Sequence, residues 1–157
     1  MAAPLELDCL GVDAKGMIGR RHTGRGEDVS PGFRLKNLSP RGKTLAVTLE
    51  DLSHPVKNFT HWLVWNLPAG EEIAEGIPAG RRAPSRGDAR QGIGYGLYRY
   101  AGPKPPGKAV HQYRFTVYVL DGPLSLGWPE TKGRLLRAAE GHILQQGSVV
   151  GSFGWKP

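Results

Sequence analysis

Three ionisable side chains stand where strand-like segments begin or end: Asp51, His61 and His111. Residues two apart on a strand share a face. Asp51 is in phase with Leu45, Val47 and Leu49, His61 with Phe59, Leu63 and Trp65, and His111 with Tyr113, Phe115, Val117 and Val119. Each thus falls on a core-facing register. If the first two strands pair antiparallel, the end of one meets the start of the next, and Asp51 and His61 share a rim. His111 opens its strand directly after a Gly/Pro-rich loop and reaches the same rim. Buried polar groups need partners, so three of them under a stiff loop describe a small polar pocket. Taken singly, each has a blander reading. An inward His is more often a hydrogen-bonded core residue, and an Asp at a strand end is usually a turn former.

Several chemistries suit such a trio. Imidazole N–H groups with nearby backbone N–H groups hold an anion, and an anion beside a carboxylate favours a protonated His, so binding should weaken above neutral pH. Two His and one carboxylate also form a metal triad in some proteins. Here they come from separate strands, without the tight spacing of a dedicated site, and neither metal nor cofactor is expected. Acid–base catalysis is the third option, with Asp51, His61 and His111 as its carriers and Ser53 the nearest hydroxyl in sequence. No Gly-x-Ser-x-Gly elbow or complete Gly-x-x-x-x-Gly-Lys-Ser/Thr phosphate loop supports it.

The elements that must hold these residues are mostly strands. Residues 43–51 alternate strictly. Residues 59–66 are apolar in both phases, as in a central strand covered on both sides. Residues 110–120 alternate again, 147–155 read as a Gly-rich closing strand, and 5–10 as a further short one. One helix is expected over 131–146, where Leu135, Leu136, Ala139, Ile143 and Leu144 fall on a 3.6-residue stripe before Gly147. Between these lie residues 67–109, almost without periodicity. Their second half is rich in Gly and Pro, which suits the wall of a site.

Bulk properties fit one domain over 1–157. Hydrophobic residues make up 39% and charged residues 22%, ordinary globular values. The net charge of +7 and pI near 9.8 raise nucleic acid as a partner. However, the basic clusters at Arg20, Arg21 and Arg25 and at Arg81, Arg82, Arg86 and Arg90 lack interleaved aromatics or a recognition-helix pattern, so a solvated basic face is expected. The start of the chain resembles no signal peptide and no run reaches transmembrane length. Cys9 is alone, which excludes an internal disulfide and fits the cytoplasm. Trp128, Phe153 and Trp155 are read as core packing, with a homodimer contact as their alternative.

Five segments together resemble the phosphatidylethanolamine-binding protein family, especially its bacterial Raf-kinase-inhibitor-like branch. Glu50-Asp-Leu-Ser-His-Pro55 is similar to the family's Asp-Pro-Asp-Ala-Pro element, and Phe59-Thr-His-Trp-Leu-Val-Trp-Asn66 to its His-bearing strand. Tyr100-Ala-Gly-Pro-Lys-Pro-Pro106 resembles its Tyr-x-Gly-Pro-x-Pro-Pro loop, His111-Gln-Tyr113 its His-Arg-Tyr, and Gly26-Glu-Asp-Val-Ser-Pro31 a segment of bacterial members. The resemblance implies a central antiparallel sheet packed on a smaller one, with a few peripheral helices including one near the C-terminus. It also implies a pocket for phosphate, acetate or a phosphorylated head group, walled by Asp51, His61, Gly102, Pro105, His111 and Tyr113, with Phe59 and Tyr100 beside the ligand. Tyr95 competes with Tyr100 as the matching tyrosine. Eukaryotic relatives bind kinases and some restrain proteases, but nothing in this sequence marks a protein partner. Ser53, His54, Lys104 and Gln112 depart from the family pattern, and the first three change charge near the rim.

Overall fold

The structure is a computed structural model that describes residues 4–155. Two antiparallel sheets dominate it. The larger has six strands in the order β6-β7-β4-β3-β8-β9: β3 (Thr44–Asp51), β4 (Phe59–Pro68), β6 (Arg82–Ala83), β7 (Ala89–Gln91), β8 (Val110–Leu120) and β9 (Ile143–Gly154). The smaller has three, β1 (Glu6–Cys9), β2 (Phe33–Lys36) and β5 (Glu72–Ile73), in the order β1-β2-β5. The fold is the expected mostly-β architecture. Its helical part, among the described residues, is one α-helix, α1 (Lys132–Ala139), with single 3-10 turns at Arg20–His22 and Pro84–Arg86.

Each face of the large sheet carries its own core. On the first face Leu45, Val47, Leu49, Trp62, Val64, Tyr113 and Phe115 pack against Cys9, Phe33, Leu35 and Ile73 of the small sheet and against Leu5 just before it. The Phe33 and Phe115 rings meet edge-on at 5.6 Å. On the second face Ala46, Leu63, Trp65 and Leu120 lie under Leu124 and the apolar side of α1, Leu135 and Ala139. All of β3 is therefore buried, not only its predicted apolar phase. Burying both faces at roughly 25 cal/mol per Å² of apolar surface is the main stabilising contribution.

The second face also holds a buried ion network. Glu50 accepts from Lys132 Nζ at 2.5 Å and from an Arg114 guanidinium nitrogen at 3.2 Å, which ties α1 to the sheet. Burial pushes the Glu50 carboxyl up, yet the two cations hold it below the usual carboxylate range.

The predicted helix over 131–146 is the largest difference. α1 starts as expected, with the Thr131 side chain accepting from the Arg134 amide, but ends at Ala139. Gly141 takes a positive φ of 79° and reverses the chain, so Ile143 pairs with Leu120 and Gly147 lies inside β9 opposite Val117. Pairing eleven of the twelve β9 residues with β8 satisfies more backbone groups than two further helical turns would. The 67–109 segment also contains the short β5, β6 and β7, too brief to show periodicity. Phe153 packs against the first core. In contrast, Trp128 is 72% and Trp155 47% exposed, so the packing role expected of both tryptophans is not met. No helix among the described residues is long and apolar enough to cross a membrane.

Candidate functional site

The C-terminal end of β3, the start of β4 and the start of β8 meet at one rim of the first face. In register, Asp51 lies opposite Phe59 on one side and Tyr113 on the other. His61 reaches this group by a route that strand phase does not describe. β3 pairs Leu49 with Trp62 and Glu50 with Thr60, so β4 carries one extra residue there, a β-bulge at His61. Beyond the bulge the alternation flips. Trp62 and Val64 join the first core, while Leu63 and Trp65, expected to share a face with His61, turn to the second. A bulge bends its strand and re-aims a side chain, and here it places an imidazole beside Tyr113, with ring centroids 5.5 Å apart.

Asp51 and His111 form a direct pair. His111 Nδ1–H donates to Asp51 Oδ2 at 2.7 Å, and the Ser53 amide donates to Asp51 Oδ1 at 2.9 Å. Both carboxylate oxygens are thus engaged, and the Asp51 side chain is only 3% exposed. His61 Nδ1–H donates to the Ala101 carbonyl at 2.8 Å. With both Nδ1 positions committed, each ring presents Nε2 on its opposite edge. Burial lowers the His61 pKa below its ordinary value of 6.5, against the pull of the Ala101 carbonyl and of Asp51, so the ring is neutral in the free protein.

Tyr113 supplies the third polar group. Its hydroxyl is buried without a hydrogen bond of good geometry. The nearby Lys104 backbone offsets only part of the effect of burial, which raises the phenol and keeps it a proton donor. Buried hydroxyls without partners are uncommon and ask for an explanation. Around this polar centre lie Phe59, Tyr95 and His54. Tyr95 stands 5.1 Å from His61, and His54 stacks on Phe59 at 3.9 Å with an interplanar angle of 8°. Leu52, Val56, Tyr95 and Leu97 are exposed apolar side chains of the same two loops.

The Gly/Pro loop is held from a distance. The Gly102 amide donates to Asp28 Oδ1 at 2.7 Å, and the Tyr100 hydroxyl donates to the His22 carbonyl at 2.6 Å. The backbone N–H at Gly102 is therefore already used and is not free to bind an anion. Gly102 is required for space: a Cβ there would collide with the His22 carbonyl oxygen and press on Asp28 and Tyr100. Tyr100 packs edge-on against Trp62 with its hydroxyl committed. It is Tyr95 whose ring approaches His61. Pro105 is buried, and its carbonyl accepts from Arg25 at 3.0 Å.

Asp28 and Ala101 thus support the site without having been assigned a role from sequence. The Gly26–Pro31 motif contains Asp28, but its contact spans 74 positions and leaves no local signal. Ser53 is not set up as a nucleophile, since its Oγ accepts from the Gln112 amide at 2.9 Å. Among the described residues no three His, Cys, Asp or Glu side chains are grouped so as to hold a metal ion.

Comparison with known proteins agrees with this architecture. The family described as phosphatidylethanolamine-binding protein matches residues 11–154. A UPF0098 protein of Pyrococcus abyssi is 41% identical over 138 residues, covering 87% of this chain and 78% of the relative. One from Methanothermobacter thermautotrophicus is 34% identical over 150 residues, 95% and 98% of the two chains. Among solved structures, a phosphatidylethanolamine-binding protein homologue from Chlamydia trachomatis superposes with a TM-score of 0.81 at 28% identity, over 98% of this chain and 99% of that one. Escherichia coli YbcL, at 21% identity and a TM-score of 0.82 over 98% and 100%, shares the fold. With the motifs, the sheet topology and these matches in agreement, the chain belongs to the phosphatidylethanolamine-binding protein family.

Proposed function

We propose that the protein binds a small anion, a phosphate group or a phosphorylated head group, at the rim formed by His61, His111 and Tyr113. The observation that carries this reading is the buried Tyr113 hydroxyl, left without a hydrogen bond of good geometry, on a ring that neighbours two imidazoles whose Nδ1 atoms are both fixed. A phosphoryl oxygen accepts from Tyr113 Oη–H and from a protonated Nε2, and a P–OH donates to an unprotonated one. Asp51 serves to orient His111, because both its oxygens are engaged within the protein. The apolar fringe of Phe59, Tyr95 and Leu97 suits the carbon portion of a head-group ligand. A single unpaired and buried cysteine fits a reducing compartment, and we place the protein in the cytoplasm.

Calorimetric titration with phosphate and with phosphoethanolamine tests this. Affinity at this rim should fall as pH rises from 6 to 8, since the anion favours a protonated imidazole, and His111→Ala should abolish most of the binding there. Undiminished affinity in His111→Ala would refute the reading. An acid–base enzyme is the second reading, favoured by the Asp51–His111 pair, which has the geometry of a carboxylate orienting a general base. Turnover of phosphoesters, lipids or small lactones, lost in Asp51→Asn, would support it.

A further inference from the structure

The register of the edge strands draws attention to the opposite face of the sheet. β6 pairs with β7 so that Arg82 lies directly opposite Arg90, and Arg90 lies opposite Trp65 of β4. Cross-strand partners share a face, so two guanidinium groups and an indole form one row across three strands. On the reverse of that ladder Ala83 and Ala89 are fully buried. Like charges facing each other weaken a pairing, and this one involves a two-residue strand at the edge of the sheet.

Arg82 and Arg90, together with Arg81, line a cleft of about 430 Å³ with Trp65 and Asn66 at its base. The opposite wall is the segment from Leu124 to Glu130, and it is firmly held. Asn66 donates to the Leu124 carbonyl at 2.9 Å and accepts from the Leu124 amide at 2.7 Å, and the Ile93 amide donates to the Glu130 carbonyl at 2.7 Å. The three cations are not equally satisfied. Arg81 pairs with Glu130 at 3.0 Å and lies over the Tyr98 ring at 4.7 Å. Arg82 reaches the exposed Asp88 at 3.2 Å, a pair of little worth in solvent. Among the described residues, Arg90 has no ion pair and no side-chain hydrogen bond.

We infer that this cleft is a second anion site, which takes the phosphate group of a small phosphorylated molecule between Arg82 and Arg90. Two guanidinium forks present planar sets of N–H donors suited to a tetrahedral dianion. The cleft has the size of ordinary small-molecule sites. Ser125 provides a polar contact for the rest of the molecule. An anion bridging the two arginines also removes the repulsion built into the register.

The test uses the full chain with His111→Ala, which silences the rim on the first face, and titrates inorganic phosphate, glucose 6-phosphate and acetate. Proton–nitrogen spectra follow the Trp65 indole N–H and the Arg90 Nε–H. Saturable shifts with both phosphates and weaker ones with acetate are expected, unchanged from the chain with His111 intact. Arg90→Gln should weaken phosphate binding by at least roughly tenfold, the worth of one charge-assisted hydrogen bond. In phosphate-free buffer it should leave the melting temperature unchanged or higher, because a like-charge contact is gone. Shifts that do not saturate, that vanish in His111→Ala, that favour acetate, or that survive Arg90→Gln at full affinity would overturn the inference. Should Arg90→Gln fail to fold, Arg82→Gln is judged by the same criteria.

Discussion

Asp28→Ala probes how the loop holds the site. Asp28 Oδ1 accepts the buried Gly102 amide at 2.7 Å, one residue from the Ala101 carbonyl that fixes His61. Removing the carboxylate leaves a buried N–H unsatisfied, a cost of about 1–3 kcal/mol. Asp28 also sits at φ 59°, where alanine costs roughly 1 kcal/mol more than aspartate. The sum is about 2–4 kcal/mol. For a chain of this size that lowers Tm by roughly 5–15 °C, read by near-ultraviolet circular dichroism. Asp28→Asn keeps both the acceptor and the tolerance of positive φ and should shift Tm by less than about 3 °C. Asp28→Gly relieves the backbone but not the lost acceptor and should fall between the two. As the loop loosens, burial of His61 falls, so its imidazole pKa should rise toward 6.5 in Asp28→Ala when followed by nuclear magnetic resonance. A Tm within about 1 °C of the parent and an unmoved His61 titration would refute the claim that this bond positions the site.

Three further outcomes follow from the packing. Because His61 has a depressed pKa in the folded state, stability should be full above about pH 6.5 and decline as pH falls below it; added phosphate should offset the decline, and thermal scans from pH 5 to 8 check both. Glu50→Ala strands Lys132, whose side chain is 16% exposed, and should cost about 2–3 kcal/mol in urea unfolding. The lowered Glu50 carboxyl should also contribute stability present above about pH 4.5 and lost below it. The Cys9 thiol, pushed up to about 11 by burial, should resist alkylation by iodoacetamide at pH 8 until the protein is unfolded by denaturant.

The long strands were legible because their side chains alternate over eight residues or more, in β3 and β8, or are apolar in both phases, in β4. β8 has the expected bounds, and β4 extends only two residues beyond them. Elements whose existence depends on a partner were not. β5, β6 and β7 are two or three residues long and form by pairing rather than by pattern. Ile143 and Leu144 continue the helical stripe by coincidence, and only the turn at Gly141 and the pairing with β8 reveal them as strand. The site followed the same division. Asp51, His111 and Tyr113 come together as their strand phases implied. His61 arrives through a bulge, a property of two strands in register that one segment cannot display. The anchors of the loop, Asp28 to Gly102 and His22 to Tyr100, join positions more than 70 apart, beyond the reach of spacing arguments.

The most direct test is a crystal structure of the protein grown with phosphoethanolamine at pH 6. The account predicts phosphoryl oxygens within about 3 Å of the Nε2 atoms of His61 and His111 and of the Tyr113 hydroxyl, with His111 still bonded to Asp51. A rim empty of ligand in crystals of protein that binds the compound in solution under the same conditions would contradict it.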